Sequence, residues 1–153
     1  MNDRHARTDG RMISDVRAVI LDLDGTLLHS NDAHAQAFVE AGREIGLTVD
    51  FDIVRRLIGK GGDKLIPEAF GFSSSSETGK RLETLKREIF MARFLTQLTP
   101  TRGARELLLR LREKGIRRVL ATSSGESSIK PLLRQAGVDD SAREQIQSRF
   151  PPG

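Results

Sequence analysis

VRAVILDLDGTLL, from Val16 to Leu28, is an apolar run rich in β-branched residues (Val16, Val19, Ile20) that leads into two carboxylates, Asp22 and Asp24, and closes on Gly25-Thr26. Such a run reads as a buried strand whose end carries chemistry. Side chains two apart on a strand share a face, so Asp22 and Asp24 converge on one small space. Two carboxylates that close repel each other, and unpaired charge at the end of an apolar strand is costly. A divalent cation removes both penalties. A hard ion such as Mg²⁺ takes oxygen ligands and keeps water positions that a phosphate oxygen can fill. Gly25 permits a tight turn, and its amide, with that of Leu23, is expected to face an anion.

Around this strand the 153 residues suffice for one domain with a core, or for a small core plus an insert. Hydrophobic residues make up 37% and charged residues 30%, with seven Phe and no Trp or Tyr, so an aliphatic core in an ordinary soluble protein is expected. No cysteine is present, which excludes disulfides and thiolate chemistry. The opening MNDRHARTDGRMISD is polar, without an apolar signal core, and no run approaches membrane-spanning length. Residues 1–15 are expected to be an unstructured leader, with Met12 an alternative start, and a cytoplasmic location is the default. The net charge of +4 arises largely between Arg102 and Arg118. There Leu107, Leu108 and Leu111 form an apolar stripe at helical spacing, which places the cations on a solvated face. No aromatic residues interleave them for base stacking, so neither a nucleic acid nor a membrane is an expected partner.

Downstream, Asn31 or Asp32 can cap a helix running to about Gly46, with Ala33, Ala37, Phe38, Ala41 and Ile45 on its apolar side. Helices are expected over Asp52–Ile58, over Asp63–Phe70, with Pro67 limiting it, and over Lys80–Leu98, with the serine-rich stretch Gly71–Gly79 as a flexible loop. Residues 32–98 thus read as an all-α unit inserted after the first strand. A basic helix over Arg102–Lys114 follows, then a second buried strand, RRVLAT (Arg117–Thr122), and a helix over Glu126–Ala136. Strand, long crossover, strand implies parallel pairing. At the end of this second strand, in LATSSGE, the Thr122 hydroxyl and the Ser123 amide can donate to a phosphoryl oxygen.

DLDGTL directly after a hydrophobic strand resembles motif I of the haloacid dehalogenase superfamily, and LATSSGE resembles its motif II. The helical insert is similar to the cap of the phosphoglycolate phosphatase and β-phosphoglucomutase branch. The resemblance implies an α/β fold: a partial Rossmann-like core of parallel strands, residues 16–31 and 99–140, with an inserted α-helical cap, residues 32–98. It implies that Asp22 is the nucleophile that becomes an aspartyl phosphate, that Asp24 is the general acid and base, and that both lie at a Mg²⁺ site. Gly25, Thr122 and Ser123 would bind the phosphate. His34 matches a histidine that such caps place near hinge and substrate; read alone it is equally a solvated histidine. Ile58–Leu65, IGKGGDKL, is similar to the cap loop that closes over substrate, with Lys60 as a substrate contact. At His29 the branch more often has Asp.

The superfamily's later Lys and acidic pair have no counterpart here. Lys130-Pro131 lies too close behind Thr122 and within a helix, and Asp139-Asp140 follows a helix rather than a buried strand. The stretch SAREQIQSRFPPG, residues 141–153, is expected to be a divergent tail without a strand, following an early truncation or frameshift. Three functions therefore stand open. The first is a Mg²⁺-dependent phosphatase of small phosphorylated metabolites, the second a sugar phosphomutase of the same superfamily, and the third a catalytically incompetent fragment.

Overall fold

The computed structural model describes residues 16–122, 124, 126–137 and 147–148. The expected leader, Ser123 and Asp139-Asp140 lie outside the described residues.

Strand β1 (Ala18–Leu21) is followed by helices α1 (Asn31–Glu44), α2 (Phe51–Leu57), α3 (Gly62–Phe70) and α4 (Glu77–Ile89). The helix continues as one wider π-type turn, Phe90–Phe94, and a tight 3₁₀ turn, Leu95–Gln97. Then come α5 (Ala104–Glu113), β2 (Arg117–Leu120), α6 (Glu126–Gln135) and β3 (Gln147–Ser148). The strands form one parallel sheet in the order β1-β2-β3, in register from Ala18 opposite Arg117 to Leu21 opposite Leu120, and Val119 opposite Gln147. The fold is α/β: a partial Rossmann-like core of parallel strands carrying a long helical stretch between β1 and β2.

The helical stretch is stitched to the sheet where the chain leaves and returns. The His29 amide donates to the Thr99 carbonyl (3.0 Å) and the Thr101 amide to the Leu27 carbonyl (3.0 Å), so the two crossings run antiparallel side by side. Beneath them Leu23 and Leu28 are fully buried. Burial of a leucine contributes about 1.5–3 kcal/mol, which anchors both crossings to the core. Helix α1 packs on α2 and α4. Its buried face includes Ala37, Phe38 and Ala41, and Gly42 leaves room for the edge of Phe70, whose Cε1 would stand 3.1 Å from a β-carbon there.

Several details differ from the sequence expectations for physical reasons. The residue preceding α1 is Ser30, whose hydroxyl donates to Asp24 Oδ1 (2.7 Å) instead of capping the helix. The serines of 73–76 build a turn: Ser76 Oγ donates to the Ser73 carbonyl (2.6 Å) and accepts from the Gly79 amide (3.1 Å), which starts α4 at Glu77. Pro67 does not end α3, which runs on to Phe70. In α5 Leu108 and Leu111 are buried, but Leu107 is 46% exposed, so the apolar stripe is narrower than its spacing suggests. Strand β1 is only partly buried, with Ile20 73% exposed, because no described element covers that face. The stretch after Asp140 does contain a strand, β3, which continues the sheet beyond β2.

Candidate active site

The turn after β1 brings the two carboxylates to the mouth of a cavity of about 670 Å³ between the sheet end and the helices. Gly25 has φ +77°, a left-handed conformation that glycine adopts without strain, and a β-carbon there would overlap the Asn31 side chain. Its amide donates to the Leu28 carbonyl (2.8 Å), so in this arrangement Gly25 shapes the turn and its N–H is engaged within it. The Leu23 carbonyl accepts from the amides of Leu27 (2.9 Å) and Leu28 (3.1 Å), which tightens the same loop.

Asp22 and Asp24 both line the cavity, as do Thr122, Ser124 and His34. The two carboxylates are held differently. Asp22 is exposed and accepts a bond from Thr26 Oγ1 (3.2 Å). Asp24 accepts three: Ser30 Oγ (2.7 Å) and His34 Nε2 (2.9 Å) on Oδ1, and Ser124 Oγ (2.6 Å) on Oδ2. Burial would raise its pKa, but the hydrogen bonds from His34 and the two serine hydroxyls hold it well below the usual carboxylate range. Of its four lone-pair sites one remains open, on Oδ2.

Thr122 is buried at the end of β2, and its Oγ1 accepts the Ser124 amide (3.0 Å). Its own hydroxyl proton is thereby left to point elsewhere, as a donor toward an anion requires. Ser124, a residue that sequence reasoning passed over, bridges the second strand to Asp24, at the end of the first. Ser128, in the following helix, also lines the cavity.

His34 is buried, stacks flat on Phe90 (centroids 4.0 Å apart, planes 5° apart) and takes Lys86 Nζ at 3.0 Å on Nδ1. An ammonium only donates, so Nδ1 accepts and Nε2 carries the proton that reaches Asp24. Burial pushes the His34 pKa below its ordinary value and the Lys86 charge adds to this, against the pull of Asp24. Burial also pushes the Lys86 ammonium down to about 8, opposed by Asp24 and Glu83. Lys86 lies over the rings of Phe38 (5.1 Å) and Phe90 (5.3 Å), whose negative π-faces attract the ammonium. Lys86 is the second residue sequence reasoning missed. Its signal was present: it interrupts the stripe Leu82, Leu85, Ile89, Phe90, where a lysine must be buried.

Lys60 turns away from the cavity and pairs with Glu68 (2.7 Å) at the surface, whereas its glycine neighbours Gly59, Gly61 and Gly62 line the wall. Among the described residues no group of three or more His, Cys, Asp or Glu side chains gathers around one point. The oxygens of Asp22 and the open position of Asp24 nevertheless fit Mg²⁺, which binds through one or two carboxylates plus a substrate phosphate.

Residues 16–151 match the haloacid dehalogenase-like hydrolase model. The chain belongs to that family. It is 32% identical over 133 residues to a phosphoglycolate phosphatase of Rhodospirillum rubrum, covering 81% of this chain and 55% of the relative. It is 28% identical over 128 residues to a phosphorylated carbohydrates phosphatase of Thermotoga maritima, covering 81% and 57%. A hydrolase from Pseudomonas syringae superposes with TM-score 0.75 at 27% identity, over 87% of this chain and 61% of that one. A HAD family hydrolase from Deinococcus radiodurans, solved with bound phosphate and sodium, gives TM-score 0.56 at 27% identity over 88% and 58%. The chain thus spans a little over half the length of the curated relatives it matches. No helix among the described residues is long and apolar enough to cross a membrane.

Proposed function

We propose that the cavity is the active site of a Mg²⁺-dependent phosphatase of small phosphorylated metabolites, working through an aspartyl phosphate. The observation that carries this reading is the unequal pair: at one cavity mouth, with Thr122 beside it, Asp24 is fixed by three donors and Asp22 is left open. Asp22 Oδ attacks phosphorus in line with the leaving oxygen, since it is exposed at the cavity and accepts only from Thr26 among the described residues, whereas Asp24 is tied by three donors. The Thr122 hydroxyl and, from the sequence, the Ser123 amide hold the phosphoryl oxygens. Asp24 takes the proton of the water that releases phosphate from Asp22. In the first step Asp24 starts protonated and gives that proton to the leaving oxygen, and it regains one from the attacking water in the second. Mg²⁺, when bound, would neutralise the repulsion between Asp22 and the phosphoryl oxygens. His34 acts as a positioning residue that orients Asp24.

The test is Mg²⁺-dependent release of phosphate from p-nitrophenyl phosphate by the purified chain. Release is expected with Mg²⁺ and is abolished by chelation and in Asp22→Asn. A folded chain that releases none would favour the incompetent-fragment reading. Conversion of an added sugar phosphate to an isomer instead of free phosphate would favour the phosphomutase.

A further inference from the structure

Three charged side chains of α4 face the cavity: Glu83, Lys86 and Arg87. Two already have work within the protein. Lys86 Nζ is on His34 Nδ1 and over two aromatic rings. The Glu83 carboxylate lies against Gly62, the first residue of α3, where a β-carbon would overlap its Oε1; there it meets the positive end of that helix. Arg87 is different. It is exposed, lines the same cavity, and makes no hydrogen bond or ion pair with another described residue. Arg93 pairs with Glu40 and Arg55 with Asp32, all four outside the cavity lining, so the position of Arg87 at the cavity is what sets it apart. Opposite α4 the wall is the bare backbone of Gly59, Gly61 and Gly62.

We propose that Arg87 is a specificity-determining residue that grips a carboxylate at the end of the substrate remote from the phosphoryl group. The proposal rests on the reading of the cavity as a phosphomonoester site. A guanidinium presents a planar fork that matches a carboxylate bidentately. A single unengaged cation suits a monoanionic carboxylate better than a second phosphate, which would need Lys86 as well. A neutral sugar hydroxyl gains far less from the same fork. Arg87 thereby selects between the two substrate types that the relatives' names present.

The experiment is calorimetric titration of the full chain carrying Asp22→Asn, which blocks turnover, with 2-phosphoglycolate and with ethyl phosphate, its uncharged-tail counterpart. With Arg87 in place, 2-phosphoglycolate should bind at least about tenfold more tightly, as expected for a charge-assisted bidentate pair. Adding Arg87→Gln should bring the ratio close to one with ethyl phosphate unchanged, and Arg87→Lys should retain part of it. A ratio near one with Arg87 present, or one that survives Arg87→Gln, overturns the proposal while ethyl phosphate binding leaves the phosphomonoester site standing. Failure of both ligands to bind removes the site reading and the proposal together.

Discussion

His34 Nε2 donates to Asp24 Oδ1 across 2.9 Å, tying the first helix after the sheet to the carboxylate at its end. With Lys86 on the other ring nitrogen, the contact forms a chain from α4 through α1 to the loop after β1. A residue of the helical stretch thus sets the state of a residue beside the sheet.

Replacing the imidazole tests that chain. In His34→Ala, Asp24 loses one of three donors and the Lys86 ammonium loses its acceptor, a buried deficit of about 1–3 kcal/mol. The expected outcome is a lower urea midpoint than for His34→Gln, whose amide can still donate to Asp24. Phosphate release should fall in both variants.

Stability should rise with pH in separate windows. His34 has a folded pKa below its unfolded value of 6.5, so the unfolded chain binds the proton more readily. Its contribution is present above 6.5 and is lost as pH falls below it. Lys86 has a folded value of about 8 against 10.5, so stability gains between these limits as pH rises. Asp24 adds a third loss as pH falls below 3.8. Denaturation midpoints measured across pH should lose the alkaline step in Lys86→Met and keep the acid one at Asp24.

At the turn, Gly25→Ala forces an L-residue to φ +77° and a β-carbon into Asn31. The left-handed conformation alone costs about 1–2 kcal/mol. Melting temperature should fall, and phosphate release should fall further than stability accounts for, because both carboxylates flank the turn.

Leu28→Ala removes a fully buried side chain at the paired crossings. A loss of about 2–5 kcal/mol is expected from the lost burial and the cavity left behind. Hydrogen exchange at the His29 and Thr101 amides should quicken, since both bonds sit beside this side chain.

The parallel core, the helical stretch and the carboxylate pair were legible in sequence because each has a local signature: an apolar strand, a 3.6-residue stripe, a spacing of two. Thr122 was legible for the same reason, as a hydroxyl where an apolar strand stops. Long-range pairing was not. Lys86 meets His34 over 52 positions, and Ser124 meets Asp24 over 100. The placement of Lys60 was not legible either: its glycine neighbours line the cavity while its own side chain pairs with Glu68, eight residues on. Strand β3 was missed because two polar residues, Gln147 and Ser148, carry no alternation, and only the free edge of β2 gives them a reason to extend. The expected burial of β1 overstated Ile20, since apolarity marks what can be covered and not what is.

The stack of Phe90 on His34 makes the site optically addressable. The sequence contains no tryptophan or tyrosine, so Phe90→Trp would install a single indole face to face with the imidazole. A protonated imidazole quenches indole emission by accepting an electron, whereas a neutral one does so weakly. Fluorescence intensity would then track the proton on His34, turning the charge state of the site into a brightness readable in a stopped-flow cell.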